Sequence, residues 1–208
     1  MSLERRWVAT LERLGAGPAP ELWQAIATRY REPERAYHTL HHIAACFVEL
    51  DASGSAASPA LELAIFFHDV IYDPRAHDNE EESARYAERS LAALGVPAPV
   101  IADVSRLVLV TKHAATPSAP DEQLLVDIDL SILGTESATF DVYEREIRAE
   151  YAFVPEVAFN AGRAAILASF LRRDAIFTTP HFHERYEARA RENLQRSIRR
   201  LSAAHATA

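Results

Sequence analysis

An all-α fold is the class the sequence predicts, and three observations carry it. Apolar residues recur at helical spacing through nearly the whole chain, proline and glycine punctuate it at helix-length intervals, and no segment offers another a partner strand. The run Leu124-Leu125-Val126-Asp127-Ile128-Asp129-Leu130-Ser131-Ile132-Leu133-Gly134 is apolar enough for a strand, but a strand needs a neighbour, so helix is expected there too.

The elements follow in order. Leu3, Trp7, Val8, Leu11 and Leu14 share one face of a first helix, closed by Gly15-Ala16-Gly17-Pro18. Pro20 and Glu21 open a second through Leu22, Trp23, Ile26 and Tyr30, which ends before Pro33. A third is expected over about residues 35–51, followed by a loop over 52–59. The apolar run 61–70 predicts a buried helix that Tyr72-Asp73-Pro74-Arg75 breaks, because proline cannot continue the ladder, leaving His68 and Asp69 in its last turn. Helix resumes over 80–94, stops at Gly95 and Pro97, and returns over 99–113 with Ile101, Val104, Leu107, Val108 and Thr111 inward. After a polar turn and the 124–134 segment, three more helices are expected over about 137–151, 155–173 and 181–203, the last two separated by Thr178-Thr179-Pro180.

Composition narrows the class of function. At 208 residues, with 49% hydrophobic and 25% charged residues, the chain reads as one folded domain over 1–208. No stretch reaches the roughly 20 apolar residues that span a bilayer, and the start lacks a signal-peptide core, so a cytoplasmic protein is expected. The formal charge of −8 argues against a nucleic-acid polymer or an anionic membrane as partner, since both need a basic face. Cys46 is the one cysteine, which excludes an internal disulfide and a cysteine-based zinc site; among Ala44, Ala45 and Phe47 it reads as an inert buried thiol. Any metal ligands must then be histidine and carboxylate.

The stretch Ala64-Ile65-Phe66-Phe67-His68-Asp69-Val70-Ile71-Tyr72-Asp73 runs an apolar segment into an adjacent His-Asp pair. An imidazole and a carboxylate in apolar surroundings are costly unless hydrogen-bonded, paired or bound to a cation, and a lone pair of this kind is more often simply satisfied than a ligand set. Other histidines therefore matter. Tyr37-His38-Thr39-Leu40-His41-His42-Ile43 sets His38 and His42 four residues apart, which on a helix is one face with about 5–6 Å between Cβ atoms; His41 turns about 100° away.

In order, His42, His68-Asp69 and Asp129 resemble the H…HD…D signature of the HD-domain superfamily of metal-dependent phosphohydrolases. Within it, a group of predicted phosphohydrolases is most similar, through Tyr37-His38-Thr39-Leu40-His41-His42-Ile43, Phe67-His68-Asp69-Val70-Ile71-Tyr72-Asp73, Asn79-Glu80-Glu81-Glu82-Ser83-Ala84 and the Asp127 to Gly134 segment, all within about residues 35–134. Ile147-Arg148-Ala149-Glu150-Tyr151 and Gly162-Arg163 extend the likeness into the C-terminal helices at 137–203.

The resemblance implies an HD-like helical bundle, with His42, His68, Asp69 and Asp129 as metal ligands and Asp127 as the competing carboxylate in the last motif. Two nitrogens and two carboxylates suit a divalent ion such as Mn²⁺, Fe²⁺, Co²⁺, Ni²⁺, Zn²⁺ or Mg²⁺. Such an ion lowers the pKa of its water and screens phosphoryl oxygens, so Asp69 counts among the catalytic residues too. His38 looks like the histidine that protonates the leaving oxygen in cyclic-nucleotide phosphodiesterases, distant members of the superfamily, although Thr39 stands where they carry asparagine. Its alternative role is a hydrogen-bonded neighbour of the ligands.

Candidates to meet a phosphorylated substrate are Lys112, His113, Arg35, Arg145 and Arg148. Glu80 and Glu81 are further candidates at a helix start, where acidic residues also serve the helix dipole. His77 reads as a loop histidine with a second metal as its alternative; His181 and His183 read as structural. The expected activity is hydrolysis of a nucleotide or other small phosphorylated metabolite. The alternative is a regulatory module that binds metal and nucleotide without turnover, and a helical scaffold with coincidental histidines is a third reading.

Overall fold

A computed structural model describes residues 1–203, and among them ten α-helices and one 3-10 turn form and no strand does. The all-α expectation holds. Contacts gather the chain into two compact units, Met1 to Val126 and Asp127 onward, and the division falls inside a helix rather than at a linker.

The first unit contains α1 (Leu3–Glu12), α2 (Pro20–Arg29), α3 (Leu40–Ser53), α4 (Pro59–Phe67), α5 (Asn79–Ala93), α6 (Ala98–Val110) and the start of α7 (Pro120–Leu130). Ser58 caps α4 by accepting from the Leu61 amide, Pro59 follows in the first turn, and Ala60 to Phe67 are all buried. A helix apolar all round belongs in the middle of a core, and α4 packs on α1, α3, α5 and α6. Phe66 meets Trp7 edge-on at 5.5 Å between ring centroids, Trp23 at 5.9 Å and Phe47 at 4.7 Å. The one acid inside this helix, Glu62, takes hydrogen bonds from Thr10 Oγ1 (2.5 Å) and Arg13 Nη1 (3.1 Å).

Two boundaries differ from the sequence expectation, and both shape the site. Helix α3 begins at Leu40, not near Arg35, because Thr39 takes an extended backbone and its hydroxyl accepts from the His41 amide at 3.2 Å. His38 thus lies outside the helix, and the expected shared helical face of His38 and His42 does not exist. Helix α4 ends at Phe67, with His68 as its cap, well before Pro74. Side chains from elsewhere take up its last carbonyls and those just beyond, as described below, so proline is not what stops it.

The second unit holds the end of α7, the 3-10 turn Ser131–Gly134, α8 (Ser137–Glu150), α9 (Glu156–Leu171) and α10 (Pro180–Ala203). The 124–134 segment is helical, as expected. Phe140, Phe177, Phe182 and Leu194 are fully buried in this unit, and α10 packs on α9 and on the 3-10 turn. Asn193 locks that turn by donating to the carbonyls of Leu133 (3.0 Å) and Thr135 (2.9 Å). No helix among the described residues is long and apolar enough to cross a membrane.

A Cβ on Gly134 would stand 2.5 Å from Tyr186 Cβ and 2.8 Å from the Tyr186 carbonyl, whereas one on Gly162, inside α9, would meet nothing within 4 Å. Gly134→Ala should therefore cost about 1–3 kcal/mol by forcing backbone apart, and Gly162→Ala should add about 0.5–1 kcal/mol of helix stability. Urea denaturation of the two variants checks this opposite pair of signs.

Candidate metal centre

His42, His68 and Asp69 converge inside the first unit. His42 Nε2 lies 3.1 Å from His68 Nε2, His68 Nε2 lies 3.0 Å from Asp69 Oδ2, and His42 Nε2 lies 3.6 Å from the same oxygen. The two histidines are 3% and 2% exposed, while the Asp69 side chain keeps 18% of its surface open. These three residues form a group whose donor atoms could hold a single ion.

The protonation of His68 can be read from its neighbours. Its Nδ1 sits 3.0 Å from the Ile65 carbonyl, which can only accept, so Nδ1 carries a proton. In the neutral ring Nε2 then presents a lone pair to a carboxylate oxygen 3.0 Å away. That contact is favourable only with positive charge at Nε2, either a second ring proton or a metal ion shared with Asp69. Burial pushes the Asp69 carboxyl up, but the charges of His68, His38 and His42 outweigh it and hold the group below the usual carboxylate range.

The edges also fit an ion. At a ligand distance of about 2.1 Å, separations of 3.0 to 3.6 Å subtend angles of about 90–120° at a common centre, the range of octahedral to tetrahedral coordination. Cys46 Sγ stands 3.7 Å from His42 Nε2 and is buried, as the sequence predicts.

The turn carrying His68 and Asp69 is held by side chains distant in sequence. Tyr30 Oη donates to the Phe66 carbonyl (3.0 Å), Arg35 to the carbonyls of Asp69 (2.6 Å) and Val70 (3.1 Å), and Ser83 Oγ both donates to the Ile71 carbonyl (3.2 Å) and accepts from its amide (3.0 Å). Burial, and after it the Asp69 charge, push the Tyr30 phenol well up, so it stays a donor. Asn79 closes the loop by accepting from the Asp73 amide (3.0 Å) and donating to its carbonyl (2.9 Å). Asn79 and Ser83 lie one helical turn apart on α5, which is why the motif spaces them by four.

His38, though off the helix, has its ring centroid 6.0 Å from that of His42, and it stacks on Tyr72 at 4.2 Å. Tyr37 covers His42 at 4.8 Å. Neither tyrosine stood out as a functional residue in the sequence, where the only signal is that each sits inside a motif beside a ligand or its loop.

The remaining candidates fall elsewhere. Arg35 is buried and engaged by carbonyls. Lys112 pairs with Glu81 at 2.5 Å and donates to the His77 carbonyl at 3.0 Å, tying the end of α6 to the start of α5. Glu80 is half-buried beside Glu81, His77 is exposed, and His113 is half-buried in the left-handed region with φ of 55°. In the second unit, Arg148 donates to the Tyr151 (2.6 Å) and Val154 (3.1 Å) carbonyls beyond α8, and Arg145 is exposed on the same helix. His183 Nδ1 contacts the Phe177 carbonyl at 3.3 Å, and His181 packs edge-on against Phe182.

The two aspartates of the last motif separate clearly. Asp127 is fully buried and accepts from the amides of Thr178 (3.0 Å) and Thr179 (2.7 Å) and from the Thr179 hydroxyl (2.7 Å), anchoring the entry to α10. Burial pushes its carboxyl above the usual range against the pull of those donors. Asp129 is half-buried in the last turn of α7, and its charge helps push the Tyr143 phenol up, behind the larger effect of burial.

No family model matches the chain, and neither a curated protein nor a solved structure matches it.

Asp127→Ala leaves two partly buried amides and a hydroxyl without their acceptor, so it should cost about 1–3 kcal/mol for the groups orphaned. Denaturant unfolding measures the loss, and a near-neutral result would show that the aspartate does not anchor α10.

Proposed function

We propose that the protein is a cytoplasmic metal-dependent phosphohydrolase that cleaves a small phosphate ester, a nucleotide or another phosphorylated metabolite. One observation carries this reading: His42 Nε2, His68 Nε2 and Asp69 Oδ2 converge with edges of 3.0 to 3.6 Å, and the shortest of them, from the His68 Nε2 lone pair to the Asp69 carboxylate, calls for a positive charge between them. The order and context of these residues, with their resemblance to the HD-domain signature, support the enzyme class. The resemblance also offers Asp129 as a further ligand, and the hydrogen bonding of Asp127 argues for Asp129 over it.

A divalent ion held by this set would acidify a bound water and screen the phosphoryl oxygens. The rest of the chemistry belongs to the chain. Asp69 holds its charge at the centre, His68 is fixed in one tautomer by Ile65, and His38, its ring centroid 6.0 Å from that of His42 and supported by Tyr72, is the group that would give a proton to a departing alkoxide. The 18% of the Asp69 side chain left open is the side from which substrate would enter.

His68→Ala and Asp69→Ala should each abolish tight binding of Mn²⁺, Co²⁺, Ni²⁺ or Zn²⁺, and metal should raise the melting temperature of the wild type alone. Metal analysis and thermal melts check this; unchanged metal content in both variants sinks the reading. Asp129→Asn should behave like Asp69→Ala, and Asp127→Asn should keep its metal. Turnover is sought on phosphomonoesters, cyclic nucleotides and nucleoside triphosphates, and metal binding without any turnover would favour the regulatory module instead.

His38→Ala should keep its metal and lose roughly 10²–10⁴-fold in turnover of an ester with a poor leaving group, and far less with an activated aryl phosphate that needs no proton. Equal losses on both substrates at saturating metal exclude His38 as the acid.

A further inference from the structure

Arg35 spends its donors on the protein. Its Nε donates to Glu32 Oε2 (3.1 Å), its Nη2 to the Val70 carbonyl (3.1 Å), and its Nη1 to two carbonyls at once, those of His38 (3.2 Å) and Asp69 (2.6 Å). Four of the five N–H groups of a guanidinium are thereby used. The side chain is 1% exposed, so this cation is not presented to a phosphate.

The arrangement has a narrower meaning than burial. A single nitrogen bonds the backbone of the metal-site turn and the backbone of His38, residues that belong to different segments on either side of α3. The same guanidinium lies 5.1 Å from the Tyr30 ring and 5.5 Å from the Tyr72 ring, and Tyr72 is the ring on which His38 stacks. His38 is therefore tied to the turn twice, through its carbonyl and through the ring beneath its imidazole. A lysine, with its donors on one atom and no planar face, can reproduce neither the span nor the stack.

We infer that Arg35 is a positioning residue: it fixes where the His38 ring stands relative to His42, His68 and Asp69, without touching substrate. The catalytic part of this inference rests on the phosphohydrolase reading; the positional part stands on the geometry alone. A small misplacement of a proton donor is enough to matter, since about 1 Å can cost on the order of 10²-fold in rate.

The test uses the full chain carrying Arg35→Lys, with Tyr72→Leu as a second variant that keeps the guanidinium and removes only the ring beneath His38. Long-range proton–nitrogen spectra resolve the histidine rings. Expected in Arg35→Lys is loss of the upfield displacement that stacking on Tyr72 imposes on the His38 protons, and expected in both variants is a change in the Overhauser contacts between the His38 and His42 rings, 6.0 Å apart in the wild type, while His42 and His68 keep their resonances and added Co²⁺ gives the wild-type absorption spectrum. Turnover of a poor-leaving-group phosphate should fall about 10–100-fold, with a much smaller loss on an activated aryl phosphate. The inference is overturned if His38 stays in place in Arg35→Lys, or if all three rings move together and both esters slow alike, which is the mark of a core residue. Should Arg35→Lys fail to fold, an unmoved His38 ring in Tyr72→Leu overturns it equally. A wild type without turnover whose variants still move His38 alone defeats the enzyme reading and leaves Arg35 in its positioning role, so the two failures are told apart.

Discussion

The Ile65 carbonyl sets the chemistry of the whole centre. By holding a proton on His68 Nδ1 it turns the lone pair of Nε2 toward Asp69 Oδ2, and so makes that contact depend on a positive charge. Without that constraint the imidazole could flip its tautomer and donate to the carboxylate, and the cluster would be an ordinary buried hydrogen-bonded pair. The placement follows from helical geometry, since residue 65 is three before residue 68 and its carbonyl is among those a helix end leaves open.

That open helix end explains the motifs around it. A buried helix terminus and the turn after it must find partners for their carbonyls, and here Tyr30 takes one in the last turn of the helix while Arg35 and Ser83 take those just beyond it, at separations of 36, 34 and 12 residues from the groups they bond. Asn79 then fastens the loop that follows. The motif residues flanking the His-Asp pair are thus the scaffold of a non-helical turn, and the His68 and Asp69 side chains are what that scaffold aims.

How much of this was legible in the sequence depended on the range of the interaction. Helix α4 announced itself as an apolar run, and α7 was recognisable as helix because no strand could pair with it. The convergence of His42 with His68-Asp69 was expected from motif order and resemblance, not from any local pattern. The start of α3 was misplaced because the stretch before Thr39 continues the polar-apolar spacing of a helix, while the decision is made by one hydroxyl taking the His41 amide. The end of α4 was misplaced because its stop signals lie far along the chain, whereas Pro74 is a visible but later breaker. Arg35 stands among the sequence's candidates to meet a phosphorylated substrate because nothing in its neighbourhood shows that backbone carbonyls more than thirty residues away will claim it. Nor does composition mark the division between the two units, since it falls within the continuous helix α7.

The early end of α4 has one further effect. His68 stands at the C-terminus of α4, and His42 lies in the first turn of α3, so the centre joins helix ends of opposite polarity. Aligned peptide dipoles put partial negative charge at the first and partial positive charge at the second, each worth about 0.3–1 kcal/mol to a suitable ion. A cation held between His68 and Asp69 would therefore sit in the favourable field of one helix, and negative charge brought to its α3 side would meet the favourable field of the other.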